Sequence, residues 1–279
     1  MSVLGSRRPR ATIASVATLV LLLTALVQPV AATPTPDPRI NGGQPADLGE
    51  YPFMVALLFE PRAGSDFDKQ YCGASLIAPR WVLTAAHCLD FLAGPEEVSV
   101  AVNRTHLNST EGVRIGVREI FIHPDWDPNA FSPDVGLLQL ARPVNGVQPI
   151  QLAGPAEDAF EAAGTPLTVI GWGNTETNGR PNFPDELREV VVPVVADEPC
   201  NFANKGFVIG ETMLCAGDKG LDSCQGDSGG PLFATVDGTE IQMGIVSWGF
   251  GCAKNHFPGV YGEVNSPTIR SFIQEIAGV

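Results

Sequence analysis

The sequence predicts an all-β protein, a sandwich or barrel, finished by one C-terminal helix. Three observations carry this. The first is composition: 44% of the 279 residues are hydrophobic and only 17% are charged, with 30 glycines and 24 prolines. That is enough apolar material for a core, in a turn-rich chain unlike a helical bundle. The second is a series of short apolar runs: Phe53–Phe59, Ala74–Ile77, Val98–Val102, Arg114–Ile122, Gly136–Leu140, Pro166–Ile170, Leu187–Val195 and Ile241–Trp248. Turn pairs punctuate them, at Ala78-Pro79, Asn145-Gly146, Asn178-Gly179 and Asp237-Gly238. The third is a single stretch of helical periodicity. Ser266-Pro267 can start a helix, and Ile269, Phe272, Ile273 and Ile276 then share one face. No repeat and no internal linker interrupts residues 40–279. They form one domain or two packed barrels, and composition leaves both open.

Residues 1–39 stand outside that fold. Arg7, Arg8 and Arg10 precede an apolar run from Ala11 to Val27, which Gln28-Pro29 breaks before the small residues Val30-Ala31-Ala32. This is the order of a secretory signal peptide over residues 1–32. An uncleaved anchor is the alternative, but the run is short for a bilayer. Arg7-Arg8 hints at twin-arginine export without the hydrophobic residues that usually follow such a pair. Residues 33–39 hold Pro34, Pro36 and Pro38, which exclude helix and sheet, and end on Arg39. They read as an exposed propeptide tether. Residues 40–279 then carry 13 basic against 30 acidic side chains, a formal charge of −17. Nucleic acid is excluded as a partner. The acidity serves solubility or attracts basic substrates.

The strongest chemical signal is Gly226-Asp227-Ser228-Gly229-Gly230-Pro231, preceded by Asp222-Ser223-Cys224-Gln225. A serine hydroxyl attacks a carbonyl only when a base takes its proton and donors stabilise the oxyanion. Flanking glycines allow the sharp turn that presents backbone N–H groups. Of the histidines beyond residue 39, His87 lies in Leu83-Thr84-Ala85-Ala86-His87-Cys88, just past an apolar strand; His106, His123 and His256 read as structural. Asp134 opens the apolar strand Val135–Leu140, where an unpaired carboxylate is costly unless an imidazole N–H or another donor meets it.

With these motifs in the order His, Asp, Ser, the chain resembles the chymotrypsin-like serine proteases of the trypsin family. The likeness runs from Arg39-Ile40-Asn41-Gly42-Gly43 through Pro258-Gly259-Val260-Tyr261 to the terminal helix. The resemblance implies two packed six-stranded antiparallel β-barrels with the active site between them. It also implies the family's own mechanism. On that basis Ser228 is the nucleophile, His87 the general base and then acid, and Asp134 the residue that holds the imidazole. The N–H groups of Gly226 and Ser228 form the oxyanion hole, and Ser247, beside Trp248, hydrogen-bonds the triad aspartate. Asp222 lies at the base of the primary pocket and selects Arg or Lys, with Gly249 and Gly259 as side-chain-free walls. Cleavage after Arg39 frees the amine of Ile40, which pairs with Asp227 and orders the site. Asn41 replaces the family's usual valine.

The six cysteines permit fifteen pairings; the resemblance selects Cys72–Cys88, Cys200–Cys215 and Cys224–Cys252. An even count behind a signal peptide fits an oxidising compartment. The segment 102–112 matches the family's calcium loop but offers only Glu111, so no metal or other cofactor is expected. Asn103-Arg104-Thr105 and Asn108-Ser109-Thr110 are glycosylation sequons. The implied protein is a secreted, monomeric zymogen with no membrane segment after signal removal. Its partners are proteins and peptides containing Arg or Lys, and polypeptide protease inhibitors. Loops around Phe59–Lys69 and Gly173–Phe183 decide between broad and narrow specificity. An inactive binding homologue is disfavoured, because all three triad residues and the pocket aspartate are kept.

Overall fold

The computed structural model describes residues 1, 2, 5, 43–176, 179–207, 210–254 and 256–279. Most of the expected signal segment, the 33–39 tether, Arg39, Ile40 and Asn41 lie outside the described residues, as does Asn178 of one turn pair. In chain order the strands are β1 (Gln44–Pro45), β2 (Met54–Phe59), β3 (Gln70–Ala78), β4 (Trp81–Thr84), β5 (Val98–Val102), β6 (Val113–Ile122), β7 (Gly136–Leu140), β8 (Gln151–Leu152), β9 (Pro166–Gly171), β10 (Arg188–Val195), β11 (Met213–Ala216), β12 (Pro231–Val236), β13 (Thr239–Trp248) and β14 (Gly259–Glu263). The helices are α1 (Asp66–Lys69), α2 (Asp197–Ala203) and α3 (Pro267–Ala277).

Two closed six-stranded antiparallel barrels result. Strands β2, β3, β4, β7, β6 and β5 close the first. Strands β9, β10, β11, β14, β13 and β12 close the second, with β1 added beside β10 and β8 beside β13. Closure leaves no long unpaired strand edge among the described residues. The predicted runs become strands and the apolar strand expected before His87 is β4, whereas β1, β8, β11, β12 and β14 and the short helices α1 and α2 had no counterpart among the predicted elements. The Asp237-Gly238 pair joins β12 to β13 with both residues at positive φ (50° and 77°), the tight hairpin geometry such a pair favours.

Strand β2 is buried along almost its whole length, because it faces the first barrel's interior on one side and the second barrel on the other. One continuous apolar core therefore runs from Met54, Leu76 and Leu137 in the first barrel to Phe233 and Ile245 in the second. A separate cluster of Leu167, Val190, Val192, Leu232 and Met243 fills the second barrel. Helix α3 starts at Ser266-Pro267 as predicted and ends at Gly278 in the left-handed region. It buries Ile269, Phe272 and Ile273 against the first-barrel core, each contributing about 1.5–3 kcal/mol; Ile276 is only half-buried.

The barrels are also joined by polar contacts beside the serine turn. Gly73 N donates to the Ser228 carbonyl at 2.7 Å. The buried Ser75 hydroxyl donates to Gln242 Oε1 at 2.6 Å. A Cβ at Gly229, which has φ of +80°, would lie 2.1 Å from Thr84 Oγ1 and 2.5 Å from the Gly73 carbonyl. Only a glycine lets the serine turn approach the first barrel this closely.

Candidate active site

His87 sits in a short 3₁₀ turn, Ala86–Cys88, directly after β4. Asp134 immediately precedes the buried Val135 and β7, the strand that pairs with β4. That pairing brings the imidazole and the carboxylate together. Asp134 is 2% exposed and fully satisfied. Its Oδ1 accepts from His87 N at 3.0 Å, its Oδ2 meets His87 Nδ1 at 2.7 Å, and the Ser247 hydroxyl also donates to Oδ2. These bonds hold Nδ1 as the protonated ring nitrogen and leave Nε2 as the basic one. Burial by itself would lower the His87 pKa. The hydrogen bond and charge of Asp134, with a smaller push from Asp90, outweigh it and hold the pKa above the ordinary histidine value.

The backbone of Ser228 comes near this pair from the second barrel. Cys88 Sγ lies 3.7 Å from His87 Nε2 and 3.6 Å from the Ser228 carbonyl oxygen, so one sulfur touches both residues. The turn around Ser228 has an alternating pattern. The N–H groups of Asp227, Gly229 and Gly230 donate to Cys224, Val246 and Asp227 carbonyls at 3.0, 2.7 and 2.9 Å. Those of Gly226 and Ser228 have no acceptor among the described residues. Two unpaired donors beside a serine hydroxyl are the arrangement an oxyanion needs. The Gly226 carbonyl is meanwhile held by Gln70 Nε2 at 2.9 Å. Gln70 carries no motif, and only the fold of β3 against this turn exposes its part.

A cavity of about 200 Å³ opens beside the serine. Ser228, Asp222, Ser247, Trp248, Gly249 and Gly259 all line it. Asp222 is 2% exposed; its Oδ2 accepts from Ala253 N at 2.9 Å, while its Oδ1 is buried with no partner among the described residues. Burial pushes its pKa to about 7, against the pull of the Ala253 and Ser223 N–H groups and with a small contribution from Asp227. A Cβ on Gly259 would stand 2.6 Å from that free oxygen. The glycine keeps the oxygen open to the cavity.

Asp227 is fully buried and points the other way. Its oxygens accept from Gly173 N at 2.7 Å and Cys224 N at 2.9 Å. Burial raises its pKa to about 6 despite those bonds. Gly171 and Gly173 make room for it, since a Cβ on either would lie within 2.3 Å of a carboxylate oxygen. The expected partner, the Ile40 amine, falls outside the described residues.

Disulfides join Cys72–Cys88, Cys200–Cys215 and Cys224–Cys252. The first anchors the His87 turn to β3, and the last ties the Asp222 segment to the Gly249–Cys252 wall. Among the described residues the one group with converging metal-ligand atoms is Cys72, His87 and Cys88. Both sulfurs there are in a disulfide, so no thiolate is available to a metal. In segment 102–112 the Leu107 and Glu111 carbonyls are taken by the buried Arg104 guanidinium at 3.3 and 3.0 Å. Of the two rim loops, Phe59–Lys69 is braced by Lys69–Glu60 and Arg104–Asp66 ion pairs. The second brings Phe183 to 3.3 Å from where a Gly226 Cβ would be.

A family profile described as Trypsin matches residues 40–273. The chain belongs to the trypsin family. It is 41% identical to a mouse tryptase over 263 residues, covering 88% of this chain and 93% of that protein. It is 38% identical to a trypsin from Saccharopolyspora erythraea over 229 residues, covering 81% and 94% of the two chains. It is 39% identical to trypsin-1 of the crayfish Astacus astacus over 235 residues, covering 81% and 95%. With the two barrels this makes the protein a trypsin-like serine endopeptidase, whose substrates are polypeptides. No helix among the described residues is long and apolar enough to cross a membrane.

Proposed function

We propose that this trypsin-family protease is secreted as a zymogen and cuts polypeptides after Arg or Lys. The observation that carries the specificity is the unpartnered, buried Oδ1 of Asp222 in the cavity it shares with Ser228. A buried carboxylate oxygen without a donor costs free energy until a cation arrives. A guanidinium or ammonium supplies both charge and hydrogen bond, whereas Phe or Leu would bury the charge unpaired.

In this reading His87 Nε2 takes the Ser228 hydroxyl proton as Oγ attacks the scissile carbonyl. The negative oxygen moves against the free N–H groups of Gly226 and Ser228. Asp134 stabilises the imidazolium, which then gives its proton to the leaving amine, and a water repeats the sequence to release the acid. Residues 1–32 act as signal peptide and 33–39 as propeptide, and residues 40–279 form the protease. Cutting after Arg39 frees the Ile40 ammonium for the buried Asp227 carboxylate. The enzyme works as a monomer outside the cell, needs no metal, and is a target for polypeptide inhibitors.

The test is a cleavage profile of the secreted, N-terminally sequenced protein on a peptide library. Arg and Lys are expected at the cleaved position and Ile-Asn-Gly-Gly at the new N-terminus. Equal cleavage after Phe and Arg would overturn the specificity. Turnover surviving in Ser228→Ala would overturn the nucleophile. A trace of active enzyme added to Ser228→Ala precursor shows whether activation is autocatalytic.

A further inference from the structure

A second recess, of about 840 Å³, lies on the second barrel between α2, Gly217, Asp218 and Lys219, and the residues Lys254, His256, Phe257 and Pro258. It has an unusual charge. The whole chain contains four lysines. One, Lys69, is paired with Glu60 at 2.9 Å. The other three, Lys205, Lys219 and Lys254, all line this recess. None of them makes an ion pair among the described residues. Lys205 Nζ instead lies 5.3 Å from the Phe250 ring centre. The one carboxylate in the lining, Asp218, is turned back on its own loop and accepts from Lys219 N at 2.6 Å.

In a domain of charge −17, carboxylates are abundant, yet among the described residues these ammonium groups are left without one. The recess is also apolar. Phe202 on α2 is 89% exposed, and Phe257, Val195 and Pro199 continue the wall. An exposed aromatic beside unpaired cations marks a binding surface rather than a solvated face. A simple anion would use the lysines and leave the phenylalanines wet. A long polyanion would meet the negative field of the remaining surface.

We propose that this groove docks an acidic, aromatic-bearing stretch of a polypeptide substrate, away from the bond that is cut. Its position supports that occupant. The two segments that form its floor run directly into the walls of the Asp222 cavity. Gly220 N donates to the Ala253 carbonyl at 3.4 Å, and Ala253 N donates to Asp222 Oδ2 at 2.9 Å. The recess and the cavity thus share the same two loops, which favours one extended substrate engaging both.

The probe is a fluorescein-labelled ten-residue peptide of alternating Glu and Phe, which contains no Arg or Lys. Fluorescence anisotropy with the mature wild-type enzyme should show saturable binding. Affinity should weaken at least tenfold in Lys205→Ala/Lys219→Ala/Lys254→Ala and at least threefold in Phe202→Ser. Saturating benzamidine should leave it in place. Turnover of a short Arg p-nitroanilide checks that both variants are folded. The same peptide joined to that reporter by a Gly-Ser linker should lower KM at least tenfold, and only when the lysines are present. No binding by the wild type, equal binding by the lysine variant, or displacement by benzamidine overturns the proposal. Tighter lysine-dependent binding of heparin or of anionic vesicles, with no binding of the peptide, overturns it in favour of a polyanion or membrane surface. If the Arg reporter is not cut at all, the specificity reading fails, and the anisotropy result still decides the groove.

Discussion

Asp134 and Asp222 are equally buried, yet their surroundings are opposite. Asp134 receives three donors, from the His87 backbone, the His87 ring and Ser247. Asp222 Oδ2 receives the Ala253 N–H, and its Oδ1 has no donor among the described residues. A carboxylate whose acceptors are filled by the protein is part of a rigid device. One with an acceptor left over in a cavity is a device waiting for a ligand. The first costs little once folded, and the second, on the proposed specificity, holds back binding energy for a cationic substrate.

The largest break in this contrast should come from Asp134→Asn. With a carboxamide in place of the carboxylate, the imidazole tautomer is no longer enforced. kcat on an Arg ester should fall by about 10⁴, the magnitude known for the chymotrypsin-like triad and carried over here. A loss of less than tenfold would mean that Asp134 only buttresses the fold.

Asp222→Ser comes next. Removing one partner of a buried charge pair should cost about 2–5 kcal/mol, or roughly 30- to 5,000-fold in kcat/KM on Arg substrates. Stability should move the other way from Asp134→Ala. Removing the unpartnered carboxylate should raise Tm, while removing the satisfied one should cost about 1–3 kcal/mol by stranding its donors. Thermal melts of both variants with the cavity empty check the signs. Parallel decreases would erase the distinction between the two aspartates.

The pH dependence sharpens the same point. Asp222 in the empty cavity takes up a proton below about 7. A bound cation favours its ionised form, so affinity for benzamidine should be full above that pH. It should then weaken about tenfold per pH unit as the carboxyl protonates. In the proposed mechanism His87 must also be neutral to act as base, and its pKa is raised. The acid limb of kcat/KM, which reports the free enzyme, should therefore carry two protons. That of kcat, with Asp222 already paired, should carry one. Identical slopes in the two profiles would contradict the assignment.

The smallest effect belongs to Ser247→Ala, which removes one of the three donors on Asp134. A single hydrogen bond of about 0.5–1.5 kcal/mol translates to roughly 2- to 13-fold in kcat, with KM little changed. A change mainly in KM would assign Ser247 to the cavity wall instead.

Much of the architecture was legible in the chain. Apolar runs such as Val98–Val102 and Gly136–Leu140 coincide with β5 and β7, and the Ser266-Pro267 start with its apolar face became α3. Where reading failed, the strands were short or broken by glycine and cysteine. β11 holds Cys215 in a four-residue strand, β14 begins at Gly259 and contains Gly262, and β12 begins on the proline of the serine motif. Their pairing across the barrel, not their own pattern, makes them strands.

What the sequence by itself determined is the local chemistry: a glycine-flanked serine, a histidine after an apolar strand, an aspartate at the head of another, and a terminal helix. These follow from side-chain type and spacing, which neighbours in the chain can specify. Only the tertiary structure decided which groups meet. His87 and Asp134 are 47 residues apart, and Ser247 is 113 from Asp134. Closing two barrels brings them to one carboxylate. That closure also leaves Asp222 Oδ1 and the N–H groups of Gly226 and Ser228 without partners among the described residues. It gathers three lysines, from separate loops, at one groove. Satisfaction of a buried polar atom depends on what the fold carries to within about 3 Å of it, and no local pattern encodes that.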